Sequence, residues 1–221
     1  MSEHDHNKII HKCPTEGENY DSPQIIKIAK ETVDIIKKHK QIKITKDTIL
    51  FDFGAGTGLI GLDFINDVKH VIFEDVSKPM LDYLQYKCDT QGIKNYTIFN
   101  GTMEEYTSKE KVDIITAGLV LHHIEDLSSL FAKFLEILKP KGFLCLTDLK
   151  KNAPMFDLCA HGHHNHKMPH RGFDPEELSQ ELKKAGFINT EINTKISSIV
   201  YKGTNGHEII SERFMIIAQG P

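Results

Sequence analysis

Between Thr48 and Leu149, short apolar runs alternate with amphipathic stretches, and this alternation sets the expected fold class. The runs fall at 48–53, 69–75, 95–100, 112–117 and 142–149. Helical spacing occupies 58–66, 78–91 and 126–138, the last carrying Leu127, Leu130, Phe131, Phe134 and Leu138. Val112-Asp113-Ile114-Ile115-Thr116-Ala117 and Phe143-Leu144-Cys145-Leu146 are nearly continuous in apolar residues, as strands covered on both faces are. The rhythm is βαβ, so we expect an α/β fold with five parallel strands in a doubly wound sheet.

The flanks read differently. After a polar leader, Ser22 and Pro23 open a helix as N-cap and first-turn proline, with Ile25, Ile28, Ala29, Val33 and Ile36 at helical spacing. This helix is expected to cap the sheet, giving a leader and capping helix over 1–44 and the main domain over 45–221. Beyond Lys150 the chain turns polar and histidine-dense to about Gly172, and 151–172 reads as a lid insertion. Asp174, Pro175 and Glu177 then supply N-cap, first-turn proline and N3 acid for a helix that Gly186 ends. Two β-like stretches, 187–201 and 208–218, flank the turn-forming Lys202-Gly203-Thr204-Asn205-Gly206 and predict an antiparallel terminal hairpin.

Charge and composition narrow the partners. The 221 residues carry 27 basic against 31 acidic side chains, a net charge of −4, with no basic cluster along a predicted face, which argues against nucleic acid. No run approaches the roughly 18 apolar residues that cross a bilayer, and Met1–Lys12 lacks a signal-peptide core, so a cytoplasmic, membrane-free protein is expected. Cys13, Cys88, Cys145 and Cys159 show no CxxC spacing and are expected to be reduced. Oligomeric state is not legible.

The chemistry concentrates where the first apolar run breaks into Asp52-Phe53-Gly54-Ala55-Gly56-Thr57-Gly58. Alternating glycines suit a tight turn approached by a ligand, and a helix starting just after them aims N–H groups at an anion. Gly56-Thr57-Gly58-Leu59-Ile60-Gly61 also fits the dinucleotide fingerprint GxGxxG, with Asp75 about 20 residues on, so an NAD-dependent oxidoreductase competes as a reading. Against it, the glycines start after Asp52 and no Tyr-x-x-x-Lys pair occurs.

Asp52 before the glycines, Asp75 opening Asp-Val-Ser-Lys-Pro-Met-Leu, and Leu119-Val120-Leu121-His122-His123-Ile124 after the fourth run together resemble the class I S-adenosylmethionine-dependent methyltransferases. The resemblance covers residues 45–150, and more loosely 170–218 through Arg171-Gly172-Phe173 and Ala185-Gly186-Phe187. It implies a Rossmann-like, seven-stranded, mostly parallel sheet with an antiparallel seventh strand, S-adenosylmethionine as cofactor, and methyl transfer; the lack of a nucleic-acid footprint and of an Asn-Pro-Pro-Tyr-like motif is what favours a small-molecule acceptor. A protein substrate and a non-catalytic, cofactor-binding adaptor are the alternatives.

By motif, the resemblance implies that Asp52, Gly54, Ala55 and Gly56 surround the methionine moiety and that Asp75 binds the ribose, with Val76 against the adenine. Glu74, one residue out of register, is expected to point away from Asp75. Thr102 stands where relatives usually carry an Asp for the adenine amino group, so the Met103 amide is expected to share that task. Ala117, Gly118 and Leu119 would turn carbonyls toward the cofactor ammonium, with His122 close by. Tyr20 either folds over the site or is a surface aromatic. For an acceptor that must lose a proton, His123 and Asp148 are the candidate bases, beside His122 and the loop histidines, and His123 alternatively just shapes the pocket. The His161–His170 segment lacks the paired halves of a structural zinc site, and no metal is expected.

Overall fold

The structure, a computed structural model, describes residues 20–108, 110–156, 168–202 and 207–221. Helix α1 (Pro23–Lys38) starts as the sequence predicts: the Ser22 side chain accepts from the Ile25 amide, and Ile28, Ala29, Val33 and Ile36 are buried. Strands β1 (Ile49–Phe53), β2 (His70–Asp75), β3 (Tyr96–Asn100), β4 (Val112–Gly118) and β5 (Leu138–Leu149) are parallel and lie in the order β3-β2-β1-β4-β5. Helices α2 (Gly61–Phe64), α3 (Lys78–Thr90) and α4 (Leu127–Ile137) connect them, followed by α5 (Pro175–Ala185). The chain moves outward from β1 to β3 and then restarts at β4, so a topological switch point opens between β1 and β4 at the carboxyl ends of the strands.

The C-terminal antiparallel hairpin forms in two segments. The stretch 187–201 divides into β6 (Ile188–Asn193) and β7 (Ile199–Lys202), and 208–218 into β8 (Glu208–Ser211) and β9 (Arg213–Gln219). Strand β9 inserts between β5 and β6, antiparallel to both, and completes the seven-stranded sheet, whereas β7 and β8 form a separate antiparallel pair. The break has a local cause. Ser197 donates its amide and hydroxyl to Glu31 on α1, and its carbonyl accepts from the Arg213 side chain, which draws the chain off the sheet edge between β6 and β7.

The helix predicted over 58–66 is likewise shorter, a single turn at Gly61–Phe64, because the preceding residues form turns in which the Gly58 amide donates to the Ala55 carbonyl. Two apolar layers sandwich the sheet, one holding Phe131, Phe134, Leu178 and Leu182 of α4 and α5, the other Val33, Ile36, Leu81 and Leu84 of α1 and α3. A third, small cluster of Ile28, Leu149, Ala153, Phe156 and Ile199 covers the carboxyl end of β5. That cluster roofs the switch-point region.

Candidate functional site

At the switch point, β1 ends in a loop whose amides are taken up internally. The Gly54 amide donates to Glu74 Oε2 (3.1 Å), the Gly56 amide to Asp75 Oδ2 (2.7 Å) and the Gly61 amide to Asp52 Oδ2 (2.9 Å). The helix start expected to face an exogenous anion therefore receives Asp52 instead, and α2 is one turn long. The loop crosses the ends of β1 and β2, so Glu74 meets it as well as Asp75. Gly54 has to be glycine, since φ is +60° and an added Cβ would lie 2.3 Å from Val120 Cγ2.

Asp52 is buried, accepts from Thr116 Oγ1 (2.6 Å), and has no cationic partner among the described residues. Burial raises its pKa to about 7, against the lowering effect of those two hydrogen bonds. Burial likewise lifts Glu74 to about 8 and Asp75 above its ordinary value. Asp75 is half-buried, fixed also by the Ser77 amide (2.8 Å), and Val76 beside it is 39% exposed. Asn100 donates to the Asp75 and Val76 carbonyls and joins the ends of β2 and β3. Thr102 is exposed at that end, with its amide donating to Glu105 Oε2, while the Met103 side chain is buried in the core.

A cavity of about 50 Å³ lies between α1 and the ends of β1, β4, β5 and β9. Of the predicted residues it brings together Tyr20, Asp52, Gly54, Ala55, Gly118 and Leu119. Leu119 holds φ at +56°, a conformation a leucine adopts at a cost of roughly 1–2 kcal/mol, and its amide is pinned to the Thr147 carbonyl (2.8 Å). Ala117 is buried with its methyl in the core, so its contribution is backbone only. Tyr20 lines the cavity. Neighbouring Asp21 accepts from Thr57 Oγ1 and Lys87 Nζ, and burial, then Asp75 and Asp21, push the Tyr20 hydroxyl up to about 12.

Gly56, Asp75, Val76, Thr102 and Met103 lie away from the cavity lining, at the β2 and β3 ends. A third group stands beside β5. Asp148 is fully buried, its Oδ1 faces His122 Nδ1 at 2.8 Å, and it also accepts from the His122 and Leu149 amides. Its carboxylate is thus committed to His122, which corrects its reading as a free base: it supports the imidazole and favours a proton on Nδ1, leaving Nε2 as the basic nitrogen. His123 is exposed, tilted over His122 with ring centroids 4.2 Å apart, and surrounding protein followed by His122 lowers its pKa.

Sequence reading missed Thr32, Thr116, Thr147 and Arg213, all buried, and the apolar wall of Ile25, Ile28, Leu59 and Ile60. The available signal for Arg213 was rarity: it is one of two arginines among 27 basic residues. His161, His163, His164 and His166, and Cys13 and Cys159, lie outside the described residues; among those described, no group of three His, Cys, Asp or Glu is arranged around a metal position.

Residues 50–142 match the family model described as a methyltransferase domain. That segment, less than half of the chain, is similar to methyltransferase domains. Among its relatives, an uncharacterized methyltransferase of Schizosaccharomyces pombe is 29% identical over 69% of this chain and 57% of its own length. A ubiquinone biosynthesis O-methyltransferase of Hydrogenovibrio crunogenus is 24% identical over 69% and 67%. The match to the first of these thus spans little more than half of that relative. The fold agrees: the YcgJ protein of Bacillus subtilis superimposes with a TM-score of 0.66 at 18% identity over 86% of this chain and 98% of its own. Phosphoethanolamine N-methyltransferase 2 of Haemonchus contortus, solved with S-adenosyl-L-methionine, reaches 0.68 at 16% identity over 87% and 52%. The sheet has the expected seven strands, with β9 as the antiparallel strand. No helix among the described residues is long and apolar enough to cross a membrane.

Proposed function

We propose that the protein transfers a methyl group from S-adenosylmethionine to a small-molecule acceptor. The observation that carries this reading is Asp52, a buried carboxylate without a cation, on the wall of the switch-point cavity with Gly54, Gly118 and Leu119. Such a carboxylate suits the cofactor's α-ammonium, and the Gly118 and Leu119 carbonyls suit the same group. Asp75 and exposed Val76 suit a ribose diol and an adenine face at the other end of the loop, with Thr102 and the Met103 amide at the adenine edge.

The cofactor supplies an activated sulfonium methyl, so the chain's own work is to bind, align and exclude water. A cavity of about 50 Å³ has room for only a few waters, so Tyr20 and the first turn of α1 give way when ligands enter. For a hydroxyl or protonated-amine acceptor, His122 oriented by Asp148 takes the proton, with His123 as the exposed neighbour that shares or shapes that end; this class of assistance contributes roughly 10² to 10⁴ in rate. A cytosolic setting fits Cys88 and Cys145, both buried free thiols.

The test follows S-adenosylhomocysteine formation from S-adenosylmethionine across a panel of small hydroxyl, amine and carboxylate acceptors, with a protein extract as one arm. Turnover with a small acceptor supports the reading. Turnover only with the extract points to a protein substrate, and tight cofactor binding without product under every condition points to an adaptor.

A further inference from the structure

The cavity has a second polar end that the cofactor does not need. Its lining contains one carboxylate, Asp52, and one cationic side chain, Arg213. Asp52 lies on β1 and Arg213 opens β9, with β4 and β5 between them. Their charged groups reach inward from those strands: the Asp52 carboxylate bonds to Thr116 on β4, and the guanidinium reaches Thr147 on β5. A cofactor that runs from Asp52 to a ribose site at Asp75 on β2 extends away from β5 and β9, which leaves Arg213 facing whatever is methylated.

Arg213 is unusual in its own right. It is 1% exposed in a chain that otherwise uses lysine almost throughout, and its planar fork matches oxyanions in a way that an ammonium does not. Nε donates to the Ser197 carbonyl (2.8 Å), Nη2 to Glu31 Oε2 (2.8 Å), and Nη1 to Thr147 Oγ1 at a long 3.4 Å. Among the described residues these bonds engage three of the five N–H donors that a guanidinium carries. Glu31 does not depend on this pairing, because the Ser197 amide and hydroxyl both bond to it at 3.0 Å and it is part-exposed. Arg213 can therefore take a second anion without leaving Glu31 bare.

We infer that Arg213, with Thr147 beside it, binds an oxyanion group of the acceptor, a carboxylate or a phosphate. The acceptor is then an anionic small molecule whose charged group lies on the β5 side of the β4 end where the methyl is delivered. This rests on the methyl-transfer reading, and the experiment separates the two.

The intact protein, labelled with nitrogen-15 and loaded with S-adenosylhomocysteine while the binding heat is recorded, is titrated with acetate, inorganic phosphate and neutral acetamide. Only Arg171 and Arg213 contribute arginine Nε–H signals. A saturable shift of the Arg213 signal with acetate or phosphate, absent with acetamide and at Arg171, is expected, and which anion acts at lower concentration identifies the group. In Glu31→Gln, which removes the internal competitor, the same anion should raise the melting temperature more than in the parent. An Arg213 signal unmoved by either anion, with a Glu31→Gln melting temperature indifferent to both, overturns the inference and leaves Arg213 as the structural partner of Glu31. Absence of S-adenosylhomocysteine heat faults the cofactor reading alone.

Discussion

At the Asp52 end of the cavity, the side-chain hydrogen bonds that hold the loop stay almost wholly within residues 52–77, with Thr116 as the main outside partner. The Arg213 end instead draws on Glu31, Thr147, Ser197 and Arg213, from α1, β5, the β6–β7 excursion and β9. One end is a preorganised local motif, and the other exists only once distant elements have docked. That contrast is what a cofactor common to a superfamily and an acceptor peculiar to one member require.

The comparison breaks most sharply at the loop. Gly54→Val forces a side chain into φ +60° and onto Val120, and we expect a loss of about 3 kcal/mol or more in urea unfolding together with loss of S-adenosylhomocysteine binding. A variant that bound normally would show the loop to be less constrained than its geometry. Asp148→Ala acts on the third group, beside β5. Removing the partner of His122 should cost about 1–3 kcal/mol of stability and reduce acceptor turnover by roughly 10² to 10⁴, with cofactor affinity nearly unchanged in calorimetry. Equal losses of affinity and turnover would erase the division between cofactor and acceptor sites.

Asp75→Ala should weaken S-adenosylhomocysteine binding by roughly 1.5 to 3 kcal/mol, about 10- to 150-fold, while the urea midpoint moves far less. Unchanged affinity would remove Asp75 from the ribose site. The smallest effect is that of pH. Asp52 and Glu74 have folded-state pKa values near 7 and 8, above those of an unfolded chain. Their folded states hold protons more tightly, so the stability they contribute is full at pH below the unfolded values and is lost as pH rises through about 7 to 8. The ligand-free protein should therefore melt a few degrees lower at pH 9 than at pH 6, and S-adenosylhomocysteine, whose ammonium compensates Asp52, should narrow the gap. A melting temperature that rose over this window would contradict the burial of these carboxylates.

The same contrast explains what was legible beforehand. The five parallel strands, the Ser22 and Asp174 caps, and the cluster of Asp52, Gly54 and Asp75 all follow from spacing within a few dozen residues, where periodicity and turn chemistry act. The bond from the Gly54 amide to Glu74 was not foreseen, because strand alternation says nothing of a loop that wraps around the strand end. The split of 187–201 depends on Glu31, more than 150 positions away, and no local pattern encodes that pull. Thr147 and Arg213 were invisible for the same reason: each reads as one more residue of a strand until β9 is set against β5.

The most direct test is calorimetric titration of the intact protein with S-adenosylmethionine, S-adenosylhomocysteine and NAD in parallel. Micromolar binding of the first two and no heat with NAD is the expected result. Binding of NAD alone would contradict the assignment of Asp52, the glycine loop and Asp75 to a methyl donor.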